Sequence, residues 1–263
     1  MLTRRYNLLD NLRGLTLISM IGYHAMWDLV YMFGVDAPWY HSVGAYVWQQ
    51  SICWTFILLS GFCWSIGSRK LKRALEVLAV SVIISLVTIF FMPENLILFG
   101  VLSAIGTGML LTIPLDKGLR YLLENCKKRG AGLYDKAVPY LGFCICFGLF
   151  VITRNVNSGS LGFESWEIGR LPASWYANLF TAYLGFPSAE FWSCDYFSVI
   201  PWIFLYQTGY FLYQIFEQRN WLKYLHMPRI PLVAWLGRNS LIVYTLHQAV
   251  IYVVLSVMMY LLK

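Results

Sequence analysis

The sequence predicts an all-α polytopic membrane protein: a bundle of about seven transmembrane helices, N-terminus cytoplasmic, with a long outer loop between helices five and six. Three observations carry this. Hydrophobic residues make up 59% of the 263 and charged residues only 13%, about half the charged share of a soluble domain. Apolar runs long enough to cross a hydrocarbon core of about 30 Å recur along the chain. Lys and Arg collect in alternate gaps between those runs. No Pro/Gly/Ser-rich linker interrupts the pattern, so residues 1–263 read as one integral membrane domain.

The expected spans are 13–34, 44–67, 75–93, 96–115, 138–154, 197–217 and 238–261. The first carries Arg13, His24 and Asp28 and lacks a small-x-small cleavage site, so it reads as a retained helix rather than a signal peptide. The fifth is short. Between the fifth and sixth, Asn155 to Tyr196 is aromatic and Gly-rich, and its piece Trp175 to Gly185 reads as an interfacial or re-entrant helix. Of the 20 Lys and Arg residues, all but Arg154, Arg170 and Lys263 fall on one side of this arrangement. That side is cytoplasmic by the positive-inside rule, which places the C-terminus outside. The net charge of +7 then reports orientation and not a nucleic-acid partner, whose binding face would need clustered, solvated basic residues.

The six cysteines make no disulfide framework, because Cys53, Cys63, Cys144 and Cys146 lie in apolar runs and Cys126 in a basic loop; only Cys194 reads as outward-facing. Cys144-x-Cys146 lacks a neighbouring third ligand and reads as packing. No sequence pattern names a metal, and no phosphate loop or HExxH pattern is present.

Polar side chains at mid-membrane cost about 2.5–3.5 kcal/mol each, so they face cavities or partners. In the first span Thr16, Met20, His24 and Asp28 recur at i, i+4 and share a face, with Arg13 near it at the cytoplasmic mouth. His24 is about 16 Å deeper than Arg13 at 1.5 Å per residue. In the last span Arg238, Asn239 and Ser240 lead to Tyr244, His247 and Gln248, with His247 about 13 Å beyond Arg238. Two histidines on separate helices thus reach similar depth. Ser103 sits at mid-depth of the fourth span, and Gln49 and Gln50 in the outer half of the second. A polar pocket inside the bundle is expected; a lone intramembrane His is otherwise a helix-bridging residue. His226 reads as a surface residue of a basic loop, and His41, in Pro38-Trp-Tyr-His41, as an interfacial one.

These residues resemble a known family. Leu9-Asp10-x-x-Arg13-Gly14 followed by His24 and Trp27-Asp28-Leu29 is similar to the opening of the heparan-alpha-glucosaminide N-acetyltransferase catalytic-domain family, within the transmembrane acyltransferases. The likeness continues through Leu59-Ser60-Gly61-Phe62, Phe99-Gly100 to Gly106, Asp195-Tyr196-Phe197 with Pro201-Trp202, and Arg238-Asn239-Ser240 to His247-Gln248. Two departures bear on the site. Bacterial relatives often carry His where Ser103 stands, and the animal enzyme has its catalytic His where His41 stands and Asn where His24 stands.

The resemblance implies an acetyltransferase that carries an acetyl group from cytoplasmic acetyl-CoA, the co-substrate, to an amino sugar or glycan hydroxyl at the outer face of the cell inner (plasma) membrane. The chemistry needs a base and oxyanion donors. His24 is the expected base, oriented by Asp28, with His41 as a second candidate; His247, Asn239, Gln50 and Ser103 are candidate donors. Arg13, Arg238 and the Arg69–Arg73 cluster are candidate holders of the CoA phosphates, the cluster being equally well explained by topology. Direct transfer and an acetyl-histidine intermediate both fit. Expected partners are membrane lipids and the glycan acceptor, with no nucleic acid and homodimer formation open. The competing reading is a membrane carrier or flippase for a sugar or lipid-linked precursor, against which stands the lack of an inverted repeat.

Overall fold

A computed structural model describes residues 6–128 and 133–262; Arg4, Arg5, Lys263 and part of the basic run from Lys117 to Lys136 lie outside them, as does the Cys126 side chain. The chain is mostly helical: α1 Asn7–Trp27, α2 Val43–Trp64, α3 Lys70–Phe91, α4 Val101–Lys128, α5 Leu133–Ile152, α6 Leu179–Leu184, α7 Val199–Gln218, α8 Pro231–Arg238 and α9 Ser240–Leu261. Among them α3 and α9 are long and apolar enough to cross a membrane by length and composition. The chain divides into two compact units, one spanning Ile57–Trp221 and the other combining Arg4–Phe56 with Leu222–Lys263.

In the second unit α1 packs on α8 and α9. The close approach of α1 to α8 depends on absent side chains: a Cβ on Gly14 would stand 1.9 Å from the Val233 carbonyl oxygen, and one on Gly237 1.9 Å from that of Asp10. Polar clamps hold the same junction. Asn11 Nδ2 donates to Pro228 O (3.1 Å) while its Oδ1 accepts from Ile230 N–H (3.2 Å), and Arg238 Nε pairs with Asp10 Oδ2 at 3.2 Å. The exposed face of α1 is Leu12, Leu15 and Ile18, whereas Asp10, Asn11 and Thr16 are buried. In α9 His247, Ile251 and Leu255 point inward at i, i+4 and i+8, and Ile242, Leu246, Val250 and Val254 outward. The outward faces of both helices are thus apolar, unlike the polar outer face of a water-soluble helix, while their inner faces mix polar and apolar groups.

The larger unit is built on the packing of α3 with α4, α4 with α7 and α5 with α7. Its core is aromatic, with Phe150, Trp202, Tyr206 and Tyr210 buried. Gln207 Nε2 donates to Thr112 Oγ1 (2.9 Å), and Trp64 Nε1 to Met109 O (3.1 Å).

The structure corrects the sequence reading in several places. The segment after α5 is not all-α: Ser160–Phe163 (β1) and Trp166–Arg170 (β2) form an antiparallel hairpin, bulged between Leu161 and Gly162. Residues 175–185 form only a single 3-10 turn at Ala173–Trp175 and the six-residue α6, because Gly185 at φ 135° ends the helix one residue past Leu184. Helix α4 runs thirteen residues beyond the expected end at 115, through Pro114; the hydropathy of a span marks where lipid ends, not where backbone hydrogen bonds do. The expected last span, 238–261, matches α9 to within two residues; the short helix α8 before it is not among the expected spans, and is set off from α9 at Asn239, which leaves helical geometry and whose side chain turns back to donate to Trp235 O at 2.9 Å. Helix α1 begins at Asn7 and passes into a π-helical turn at Asp28–Met32.

Candidate functional site

The α1 face predicted from i, i+4 spacing is the buried one: Thr16, Met20 and Asp28 are all inside and His24 is half-buried. Helix α9 brings His247 to it. The imidazoles of His24 and His247 lie 4.8 Å apart between centroids with planes at 65°. Leu17, Met20 and Ile52 form the apolar ground of this part of the unit, with Tyr23, Trp48, Val243 and Tyr244 packed against them. The matched depth inferred from helical rise is therefore realised as contact.

The hydrogen bonds around the pair assign its protons. His247 Nδ1 abuts the backbone carbonyl oxygen of Tyr244. A carbonyl only accepts, so Nδ1 carries the hydrogen and donates it, and in the neutral ring the lone pair lies on Nε2. That Nε2 is buried and has no hydrogen-bond partner among the described residues. Asp28 is 0% exposed and its Oδ1 accepts from Gln248 Nε2 at 2.6 Å, while Asp28 Oδ2 and Gln248 Oε1 are likewise buried without a partner. These three unsatisfied atoms belong to two consecutive residues of α9 and to the residue of the π-helical turn that Gln248 bonds. A buried polar atom left unpaired costs about 1–3 kcal/mol, so each of them calls for a physical account.

The remaining predicted residues divide. Asp28 does not orient His24: its carboxylate bonds Gln248, 220 positions away, rather than the imidazole one turn earlier. Gln248 is the member that sequence reasoning left without a role, and its only sequence signal is adjacency to His247. Arg238 is engaged with Asp10 instead of being free for a ligand. Arg13 is half-buried and makes no ion pair among the described residues. Asn239 caps the end of α8. Gln50 Oε1 accepts from Trp54 Nε1 (3.1 Å) one turn along α2. His41 is exposed, its Nδ1 lying 3.5 Å from the Tyr31 hydroxyl. Ser103 belongs to the larger unit, buried in the first turn of α4. In the Arg69–Arg73 cluster, Lys70 lies 3.8 Å from Asp116 and above the Trp64 ring, and Lys72 pairs with Glu76 at 3.8 Å. His226 is exposed against Tyr6.

A mostly helical chain with two helices apolar enough to cross a membrane, and two histidines brought together from α1 and α9, is the class of protein the structure defines. The chain belongs to the heparan-alpha-glucosaminide N-acetyltransferase catalytic-domain family, whose model matches residues 5–125 and 138–249. No curated protein and no solved structure matches it. Membership implies a transferase of the acetyltransferase type, in a membrane-associated family. The matched stretches include His24, Asp28, Ser103, Arg238, His247 and Gln248.

Proposed function

We propose that the protein is a multi-pass acetyltransferase of the cell inner membrane that takes acetyl groups from cytoplasmic acetyl-CoA and delivers them to an amino sugar or glycan hydroxyl at the outer face. The single observation that carries this reading is the His24–His247 pair, in which His247 Nε2 is buried, unprotonated in the neutral ring and unpartnered among the described residues. The seven-span topology rests on the charge asymmetry of the loops and on the apolar outward faces of α1 and α9.

In the reaction the acceptor nitrogen or oxygen attacks the thioester carbonyl, a C–N or C–O bond forms and the C–S bond breaks. The acceptor's proton passes to His247 Nε2, and from there to the departing CoA thiolate, so the ring ends as it began. His24 lies against that ring and supplies a hydrogen-bond donor to the developing oxyanion. Asp28, bonded through one oxygen by Gln248, the residue after His247, contributes the carboxylate of the site. Arg13, with no ion-pair partner among the described residues, holds CoA phosphate at the mouth about 16 Å away. Arg238 braces α8 on α1 instead.

Detergent-purified protein incubated with acetyl-labelled acetyl-CoA and a panel of amino sugars tests the proposal. Wild type is expected to release CoA and form labelled product. His24→Ala and His247→Ala are each expected to lose activity by about 10²–10⁴-fold while melting as wild type does. Acetyl-CoA or sugar binding without turnover would favour the carrier; full activity in both variants would remove the pair from the mechanism and turn attention to His41→Ala.

A further inference from the structure

The segment between α5 and α7 forms an open cavity of about 520 Å³, within the range of small-molecule sites. Its lining includes Asn157, Ser158, Tyr176, Ser188, Trp192 and Tyr196, with no Asp, Glu, Lys, Arg or His among the described residues that line it. Its walls are fixed from within. Asn157 Nδ2 donates to Gly185 O and Ser198 Oγ, both at 2.9 Å, Tyr176 OH donates to Val156 O at 2.6 Å, and Tyr196 OH donates to Ala182 O. Burial pushes the Tyr176 phenol up and the Tyr196 phenol up to about 12, so both stay neutral at physiological pH.

What those bonds leave over is specific. The Ser158 and Ser188 hydroxyls, Asn157 Oδ1 and the Trp192 indole N–H have no hydrogen-bond partner among the described residues. Trp192 is 52% exposed and stacks on no other ring among them, so a face of its indole is available to a ligand. A free aromatic face beside uncharged donors and acceptors, in a preformed cavity without fixed charge, suits a molecule with an apolar C–H face and a rim of hydroxyls.

We propose that this cavity is a binding site for a neutral saccharide of one or two pyranose rings, with Trp192 as the stacking platform and Ser158, Ser188 and Asn157 as hydroxyl partners. The site consists wholly of residues of the larger unit and uses neither histidine of the acetyl-transfer site, so it stands whether or not that assignment holds.

The full chain, purified in a detergent without a sugar headgroup, is titrated calorimetrically with N,N′-diacetylchitobiose, cellobiose and maltose. Saturable binding of at least one is expected, weakened about tenfold by Trp192→Ala and little changed by Trp192→Phe, which keeps an aromatic face. Ser158→Ala combined with Ser188→Ala is expected to weaken it several-fold, and His24→Ala to leave it as in wild type. No saturable binding of any probe would overturn the proposal. So would binding that Trp192→Ala does not weaken, or binding that His24→Ala abolishes and Trp192→Ala does not, which would assign the sugar to the histidine site.

Discussion

Each unit of the molecule shields an aspartate, largely in one case and wholly in the other, and the two are treated in opposite ways. In the larger unit Asp116, with 14% of its side chain exposed, accepts from Arg120 at 3.0 and 3.3 Å and from Tyr210 OH at 2.8 Å, and Lys70 stands 3.8 Å away. Every oxygen has a donor and the charge is more than neutralised. In the second unit Asp28 is wholly buried, has one neutral amide, that of Gln248, for a partner and leaves Oδ2 unbonded among the described residues; Nε2 of His247, the residue before Gln248, is unbonded among them too. A saturated carboxylate is a brace that ties helices together; an unsaturated one is tolerated where chemistry needs it. The contrast holds inside the second unit too, where Asp10 is matched with Arg238.

Matched substitutions would break or sharpen this contrast. Asp28→Asn keeps an oxygen for Gln248 and removes the carboxylate, so acetyl transfer should fall by about a hundredfold while the melting temperature holds or rises, since an unneutralised buried group is lost. Asp116→Asn should do the reverse: a stability loss of about 2–3 kcal/mol as charge-assisted bonds weaken, with turnover per folded molecule unchanged. Both are read from the same pair of measurements, initial rates with acetyl-CoA and thermal melts. If Asp28→Asn proved destabilising but fully active, Asp28 would be a second brace and the distinction would collapse.

How much of this was legible beforehand follows from the range of each interaction. The α1 face of Thr16, Met20, His24 and Asp28 could be read because residues four apart share a face by helix geometry alone. The meeting of His24 with His247 followed from counting depth along two helices from the same membrane surface. Gln248 as the partner of Asp28 was not legible, because it depends on the rotation of α9 about its axis relative to α1, which no local pattern encodes. Arg238 looked free for the same reason: its partner Asp10 is 228 positions away. The β1–β2 hairpin was hidden by its brevity, four and five residues, and by a turn in which Glu164 takes φ 51° without a glycine to announce it.

The junction that holds α8 on α1 offers the next test. Gly237→Ala would place a methyl group against the Asp10 carbonyl oxygen and near Gly14 N, both backbone atoms that move only if the helices separate. A loss on the order of 2 kcal/mol is expected from overpacking, with acetyl transfer impaired as well, because α9 follows α8 after Asn239 and carries His247. A stability loss without any change in rate would mean that the histidine pair is positioned by α9 alone, independently of the α8 junction.

The smallest effect is expected in the larger unit, at the start of α6. Asn178 Oδ1 accepts from Phe180 N–H at 2.9 Å and Thr181 N–H at 3.0 Å, and Thr181 Oγ1 accepts in return from Asn178 N–H at 3.0 Å, a reciprocal capping box on a helix of six residues. So short a helix cannot sustain itself by propagation, and its first turn has few other partners, Leu179 and Phe180 being exposed. Asn178→Ala should therefore cost about 1 kcal/mol, and Asn178→Asp, which keeps the acceptor, much less. The loss should appear as faster amide exchange at Phe180 and Thr181, with the protection of α1 and α9 unchanged. Equal loosening at His247 would show that the α6 segment and the histidine helices open as one cooperative body, and the two units would then have to be treated as a single folding unit.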